Sequence, residues 1–322
     1  MKRFTFLINP VSGGGLGKQV QQYLPEIMQS MNFSTDDWEA EFTTAEDREE
    51  QILRLLKSTE TLIAVGGDGT VSSVFQVLLR SGLASSVKIG LIPLGTGNDL
   101  ARILNLHDPF VNKGLLFLVR SLVRAKSRPF DIWLVNEKWT LANYFSSGID
   151  ARIAHDFNRD RNEGKVWGKS VFANKIHYVR RFFSDRNYRL GKGSIRIETP
   201  DEFQTIDISG HRTVIVGNIP SFASGSNPFY ASDIADELLE VVPVPNLMAF
   251  FGAIVFGNIP LFGKLYKKYF LPTHKAKSLK LNFESNEFHQ LDGEDFTSEL
   301  GKEISIRWGS QVQMLFLDKG TL

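Results

Sequence analysis

Two short glycine-rich runs constrain this chain most: GGDGT at Gly66–Thr70 and PLGTGNDLAR at Pro93–Arg102. Each begins where an apolar stretch stops, TLIAV (Thr61–Val65) before the first and KIGLI (Lys88–Ile92) before the second. A strand that gives way to glycines is how a parallel sheet exposes backbone N–H groups at the carboxyl ends of its strands. Those groups, with the start of the next helix, make a natural seat for phosphate. Each run also holds a carboxylate, Asp68 and Asp99, and an acid beside a phosphate needs a cation between them. Together the two loops predict a nucleotide–metal site. A structural turn with Asp68 capping the next helix would explain one aspartate. It would not explain the second acid-bearing loop, or Thr70 and Thr96 as hydroxyl donors.

The glycines exclude two familiar phosphate motifs. GGGLGKQ at Gly13–Gln19 is one residue short of a P-loop and has Gln19 where a hydroxyl is required. A dinucleotide fingerprint would need glycine where Lys18 stands. That segment still reads as a tight βα turn able to admit a nucleotide close to its backbone.

Strand and helix alternate through the first part of the chain. FTFLIN (Phe4–Asn9) precedes a helix near Lys18–Met31, and WEAEFT (Trp38–Thr43) precedes Thr44–Lys57, where Thr44 and Asp47 form a capping pair. TLIAV leads into Val71–Arg80, and KIGLI into a helix starting near Asp99. Four βα units of this kind predict a parallel sheet covered by helices. After Pro129 the texture changes to period-two runs, SIRIE (Ser194–Glu198), SLKLNF (Ser278–Phe283) and ISIRW (Ile304–Trp308), as in an antiparallel sandwich. Helices near Lys169–Phe183 and Leu247–Phe270 interrupt it. The expected organisation is α/β plus all-β: a three-layer parallel-sheet domain over 1–130 and an antiparallel β-sandwich domain over 131–311. VQMLFL (Val312–Leu317) either closes the sandwich or returns, within 312–322, to the first domain.

Composition narrows the partners. Lys+Arg 37 against Asp+Glu 36 argues against nucleic acid as a bulk partner. The absence of cysteine excludes disulfides, iron–sulfur clusters and thiolate zinc, and fits a reducing cytosol. The apolar run in MKRFTFLINP is too short for a signal sequence and reads as a first strand. The longest apolar stretch, Leu247–Phe262, is interrupted by Asn258 and Pro260 and falls short of the roughly 18–20 residues that span a bilayer. The expectation is a soluble or peripheral protein. KLYKKYFLPTHKAK (Lys264–Lys277) sets lysines, among them Lys264, Lys267 and Lys268, beside aromatic anchors, as in a segment lying on an anionic membrane. A helix capping the sandwich with solvated lysines fits as well. NKIHYVRRFF, with Lys175, Arg180 and Arg181 near one another and aromatics between, reads as packing against the sandwich, with a lipid-facing surface as the alternative. The histidines, His107, His155, His177, His211, His274 and His289, do not cluster and read as incidental.

GGDGT with PLGTGNDLAR resembles the catalytic domain of diacylglycerol kinases and related lipid kinases. The likeness continues, in the family's order, in NPVSGG (Asn9–Gly14), NYFSSGIDARIAHDFN (Asn143–Asn158), NKIHY (Asn174–Tyr178) and LDGE (Leu291–Glu294). The middle block is nearer the eukaryotic-type diacylglycerol kinases than the sphingosine-kinase branch. Without cysteines, the family's cysteine-rich lipid-sensing modules are not expected here. The resemblance implies an active site in the cleft between the two domains, with ATP and Mg2+ as cofactors. It implies that Asn9, Gly13 and Gly14, then Gly66, Gly67, Gly69 and Thr70, then Gly95, Thr96, Gly97 and Asn98 surround the nucleotide, with Thr44 touching it. Asp68 and Asp99 would hold the ion, and Arg102 is either a phosphate contact or a helix-surface residue. LDGE alone is a common hairpin turn; by resemblance Glu294 is the base that takes the proton of the lipid hydroxyl.

By the same likeness Asp236, with backbone carbonyls near Asp233 and Leu238, binds a structural Mg2+. Here, however, Glu237 stands where the family has glycine. Asp150 would lie near the substrate, although a buried or capping acid is an equal reading. The implied activity is transfer of the γ-phosphate of ATP to diacylglycerol, giving phosphatidate. Ceramide, a sphingoid base or a monoacylglycerol stands as the alternative acceptor, and an NAD-kinase-like enzyme stands further off. The implied setting is cytoplasmic, peripheral to a membrane; a homodimer stays open.

Overall fold

The structure, a computed structural model, describes residues 1–95, 97–162, 187–199, 201–222, 226–229, 232–249, 252 and 262–318. Thr96, the Lys169–Phe183 stretch with Lys175, Arg180 and Arg181, and most of Leu247–Phe262 lie outside them. The chain forms two compact units, Met1–Ile132 with Gly309–Leu322, and Trp133–Trp308.

The first unit is a parallel α/β layer structure. Its strands are β1 (Lys2–Ile8), β2 (Trp38–Phe42), β3 (Thr59–Gly66) and β4 (Lys88–Pro93), in the spatial order β2-β1-β3-β4. Leu62, Ile63, Ala64 and Val65 are almost wholly buried, as expected of a strand covered on both faces. The helices are α1 (Ser12–Gln29), α2 (Arg48–Ser58), α3 (Asp68–Ser81), α4 (Asp99–Ile103) and α5 (His107–Leu122). α1 buries Val20, Leu24, Ile27 and Met28, one stripe at helical spacing. The end of a long last strand also belongs to this unit: Gln313 and Met314 pair in parallel with Lys88 and Ile89 of β4. Leu317 fixes it, its N–H donating to Leu104 O at 3.1 Å and its carbonyl accepting from Asn105 Nδ2 at 2.8 Å.

The second unit is antiparallel. One sheet runs β12 (His274–Ala276), β11 (Leu239–Val244), β10 (Thr213–Gly217), β7 (Tyr144–Gly148), β14 (His289–Leu291), β15 (Glu294–Asp295). The other sets β16 (Glu303–Phe316, up to Trp308 in this unit) beside β13 (Ser278–Phe283), β8 (Gly193–Glu198) and β9 (Phe203–Asp207). β5 (Lys126–Val135) enters the unit at Trp133, where it pairs with β6 (Trp139–Leu141). Val214 and Val216 of β10 point to a core with Trp133, Phe145, Leu281 and Ile306. Ile215 between them joins Tyr144, Val242, Phe222 and Phe229 on the opposite face. Ile149 and Ile153 of α6 (Ile149–Asn162) cover that second face. A last described helix, α7, spans Phe262–Phe270.

Candidate functional site

In the first unit the site is built where β1, β3 and β4 end. Asn9 follows β1; its N–H donates to Val65 O at 2.9 Å and its side-chain amide to Thr70 Oγ1 at 3.4 Å. Gly13, Gly14 and Gly15 all take positive φ (62°, 69°, 100°), so the regular part of α1 starts only after a glycine-built turn. A Cβ on Gly13 would come 3.0 Å from Leu94 O, beside the end of β4.

The loops after β3 and β4 touch backbone to backbone. A Cβ on Gly95 would lie 2.8 Å from Gly67 Cα, one on Gly66 would lie 2.4 Å from Thr70 Oγ1, and one on Gly97 would lie 2.9 Å from Asp68 Oδ2. Glycine is therefore a packing requirement at Gly95, where a Cβ would meet backbone, while at Gly66 and Gly97 it leaves room for the Thr70 and Asp68 side chains. Gly67 is the N-cap of α3 and offers no side-chain cap; within that first turn Thr70 N–H donates to Gly67 O at 3.0 Å. Asp68 follows, half-buried, its Oδ2 accepting from Asn98 N–H at 3.2 Å across the two loops. Asn98 is left-handed (φ 54°) and caps α4 while its amide donates to Gly95 O at 2.6 Å. Asp99, 5% exposed, opens α4.

A helix start without a side-chain cap, glycines that let a ligand reach the backbone, and hard oxygen donors on Asp68, Asp99 and Thr70 fit a polyphosphate and its divalent ion. Gly69 is exposed in the first turn of α3. Arg102 lies 4.0 Å from Asp108.

Thr44 is engaged differently from the expected capping pair. Its N–H and hydroxyl both donate to Gln51 Oε1, at 3.0 and 3.3 Å. Gln51 in turn donates to Phe42 O at 2.8 Å. α2 begins at Arg48 with Asp47 as an N-cap that makes no side-chain bond. Gln51, folded back from inside the helix, satisfies what the Thr44–Asp47 pair was expected to satisfy.

In the second unit Glu294 stands at the exposed start of β15, paired with Leu291 across a turn in which Asp292 and Gly293 have φ 49° and 88°. That turn is anchored. The Asp292 carboxylate accepts from Ala142, Asn143 and Tyr144 N–H at 3.0, 2.7 and 3.1 Å. The residue after Glu294 is braced as well: Asp295 Oδ2 lies 2.7 Å from His155 Nδ1 of α6, and Asp295 Oδ1 accepts from Thr297 N–H at 3.1 Å. Burial pushes the Asp295 carboxyl up, but Thr297 and His155 outweigh it and hold the group below the ordinary aspartate value. His155, incidental in the sequence, thus holds the strand that carries Glu294. Its partner is 140 positions away, so no local spacing announces it.

Asp150 opens α6, 1% exposed. Its carboxyl meets the Ser146 and Thr213 hydroxyls and Gln290 Nε2, the last at 3.1 Å. Burial raises its pKa against those hydrogen bonds. The Thr213 hydroxyl also faces Ser147 O at 3.0 Å, and one proton cannot serve both. A proton on Asp150 resolves the conflict. Nearby, Ser147 Oγ lies 2.7 Å from Nδ1 of His289, which burial pushes down to about 4.

At the Asp236 turn, Oδ1 accepts from Leu238 N–H at 3.1 Å, and Oδ2 lies 2.5 Å from Lys275 Nζ. Asp233 is exposed and accepts from Ala235 N–H at 3.1 Å. Glu237 keeps the left-handed backbone (φ 58°) that glycine would have adopted freely. No group of three His, Cys, Asp or Glu able to hold a metal occurs among the described residues. With an ammonium on its outer oxygen, Asp236 does not fit a divalent ion.

The chain thus carries a parallel unit whose glycine loops meet backbone to backbone and an antiparallel unit with a braced carboxylate. The family model for the diacylglycerol kinase catalytic domain matches residues 3–135, and that for the diacylglycerol kinase accessory domain matches residues 140–295. The chain belongs to the diacylglycerol kinase family. It is 28% identical over 269 residues to the eye-specific diacylglycerol kinase of Drosophila melanogaster, covering 73% of this chain and 18% of that protein. It is 25% identical over 255 residues to human diacylglycerol kinase iota, covering 71% of this chain and 23% of that protein. The chain thus spans about a quarter or less of these relatives' length. A crystal structure of a diacylglycerol kinase from Bacillus anthracis superposes with a TM-score of 0.70 at 16% identity, covering 100% of this chain and 99% of that one. That likeness shows the fold.

Proposed function

We propose that the chain is a lipid kinase that transfers the γ-phosphoryl group of ATP to the free hydroxyl of diacylglycerol, giving phosphatidate. The observation that carries the reading is the backbone contact of the Gly67 and Gly95 loops, with Asp68 bonded across them to Asn98. In this reading the backbone from Asn9 to Gly14, Gly66 to Thr70 and Gly95 to Asn98 cradles the phosphates. Thr44 and Thr96 touch the nucleotide, and Asp68 and Asp99 hold Mg2+. That ion, when bound, neutralises charge on the transferring group. Glu294 accepts the proton of the attacking hydroxyl as the lipid oxygen bonds to the γ-phosphorus. The bond to the bridging oxygen breaks and ADP leaves. Catalysis of this kind is mostly positioning and charge neutralisation.

The reading also places the enzyme in the cytoplasm, peripheral to a membrane. Met248, Leu265, Tyr269 and Phe270 are exposed around α7 beside exposed Lys268, the composition of a membrane-facing patch. Lys267, by contrast, is only 4% exposed and is no part of that face. None of the described helices is long and apolar enough to cross a bilayer. Labelled ATP, Mg2+ and a panel of lipids in mixed micelles test the reading. Diacylglycerol is the expected acceptor; preferential labelling of ceramide, a sphingoid base or monoacylglycerol would replace it, and labelling of none would overturn it.

A further inference from the structure

We propose that Lys275 is the built-in cation of the Asp236 turn, and that this turn takes no metal. Lys275 lies on β12 directly opposite Glu240 on β11, so the two side chains share one face of the ladder. Its ammonium stands 2.5 Å from Asp236 Oδ2 and 3.6 Å from Glu240 Oε1. Glu240 is wholly buried, and neither of its carboxylate oxygens has a hydrogen-bond partner. The ammonium is the positive group the structure sets against both acids.

A divalent ion at Asp236 would need an oxygen at roughly 2.1 Å. Lys275 already stands at the outer oxygen, and Leu238 N–H takes the inner one. Ion and ammonium cannot share that position without bringing two cations into contact. Burial holds the Glu240 carboxyl up at about 8 even beside the ammonium, so the tethered lysine chiefly balances Asp236 and removes the need for a metal there. The consequence is a turn whose order does not depend on Mg2+. The divalent-ion requirement of the chain is then confined to the first unit.

The Asp68→Asn background rests on the proposed function, while the test of the Asp236 turn uses neither nucleotide nor lipid, so the two can fail separately. Thermal unfolding of the full chain is followed in EDTA and in rising Mg2+, in an Asp68→Asn background that silences the first-unit site. The parent is expected to melt at one temperature throughout. Lys275→Met should melt lower in EDTA, by on the order of 5–10 °C, and recover with Mg2+ as the ion bridges Asp236 and Glu240; Lys275→Arg should behave as the parent. Should Lys275→Met not fold at all, the parent's titration decides. Insensitivity to Mg2+ supports the proposal. A Mg2+-dependent rise that Asp236→Asn abolishes overturns it, as does a Lys275→Met variant that melts like the parent and ignores the ion.

Discussion

Asp292 offers the sharpest separation of positioning from chemistry. Its carboxylate accepts three backbone N–H bonds from Ala142, Asn143 and Tyr144, residues 3%, 4% and 6% exposed. Hydrogen bonds to a charged group are worth about 1.5–3 kcal/mol each, and buried donors left unpaired cost about 1–3 kcal/mol. Asp292→Asn keeps one oxygen for Asn143 and Tyr144 but turns an NH2 group towards Ala142 N–H. One bond becomes a donor–donor contact, so the variant should lose about 2 kcal/mol. Asparagine tolerates the positive φ of 49°, so backbone strain adds little. Because Glu294 lies across the same turn, a displacement near 1 Å would cost turnover up to about 10²-fold. Thermal melts and steady-state kinetics read the two effects separately. We expect a lower melting temperature, kcat reduced by roughly 10–10²-fold, and an unchanged KM for ATP. Wild-type turnover in a destabilised variant would refute the positioning argument, and an ATP KM that rises at full kcat would place the turn at the nucleotide instead.

Three further outcomes follow. Glu294→Gln should lower turnover by roughly 10²–10⁴ with nucleotide binding intact, since it removes only the proton acceptor; lost ATP affinity at full turnover would make it a binding residue. Asp150 has its pKa raised by burial. Its stabilising contribution is therefore full below the ordinary value of 3.8 and is lost as pH rises through the folded value. Asp150→Asn should gain on wild type in melting temperature as pH rises above 3.8, and a flat or reversed difference would argue against a protonated Asp150. Lys268→Glu with Phe270→Ser should weaken sedimentation with anionic vesicles while sparing activity on a short-chain, water-soluble diacylglycerol. Unchanged vesicle binding would move the membrane face elsewhere.

The parallel unit was legible because its signals are local. TLIAV and KIGLI are continuous apolar runs that end in glycines, and the structure explains those glycines by the Gly67–Gly95 backbone contact and by the Thr70 and Asp68 side chains packed against Gly66 and Gly97. The period-two runs likewise appear as β8, β13 and β16. What escaped the sequence depends on distant partners. α6 was not anticipated, because its buried Asp150 pairs with Thr213 and its His155 with Asp295. Those partners leave polar residues where a helix pattern expects apolar ones. The regular part of α1 begins only after three left-handed glycines, close to the expected start near Lys18. Lys275 reads as one more surface lysine until β11 and β12 pair and set it against Asp236 and Glu240.

The central claim, phosphoryl transfer at the Asp68 loop, is tested most directly by following label from γ-labelled ATP into phosphatidate. Wild type and Asp68→Ala are compared in diacylglycerol micelles with Mg2+, their folding checked by melting temperature. Asp68 is half-buried at the first turn of α3 and takes no part in the apolar core, so its loss should leave the fold intact. Removing its charge should raise the barrier by several kcal/mol, on the order of 10³-fold in rate. The account predicts labelled phosphatidate from wild type and almost none from the folded variant. Labelling by Asp68→Ala within a few-fold of wild type would contradict it.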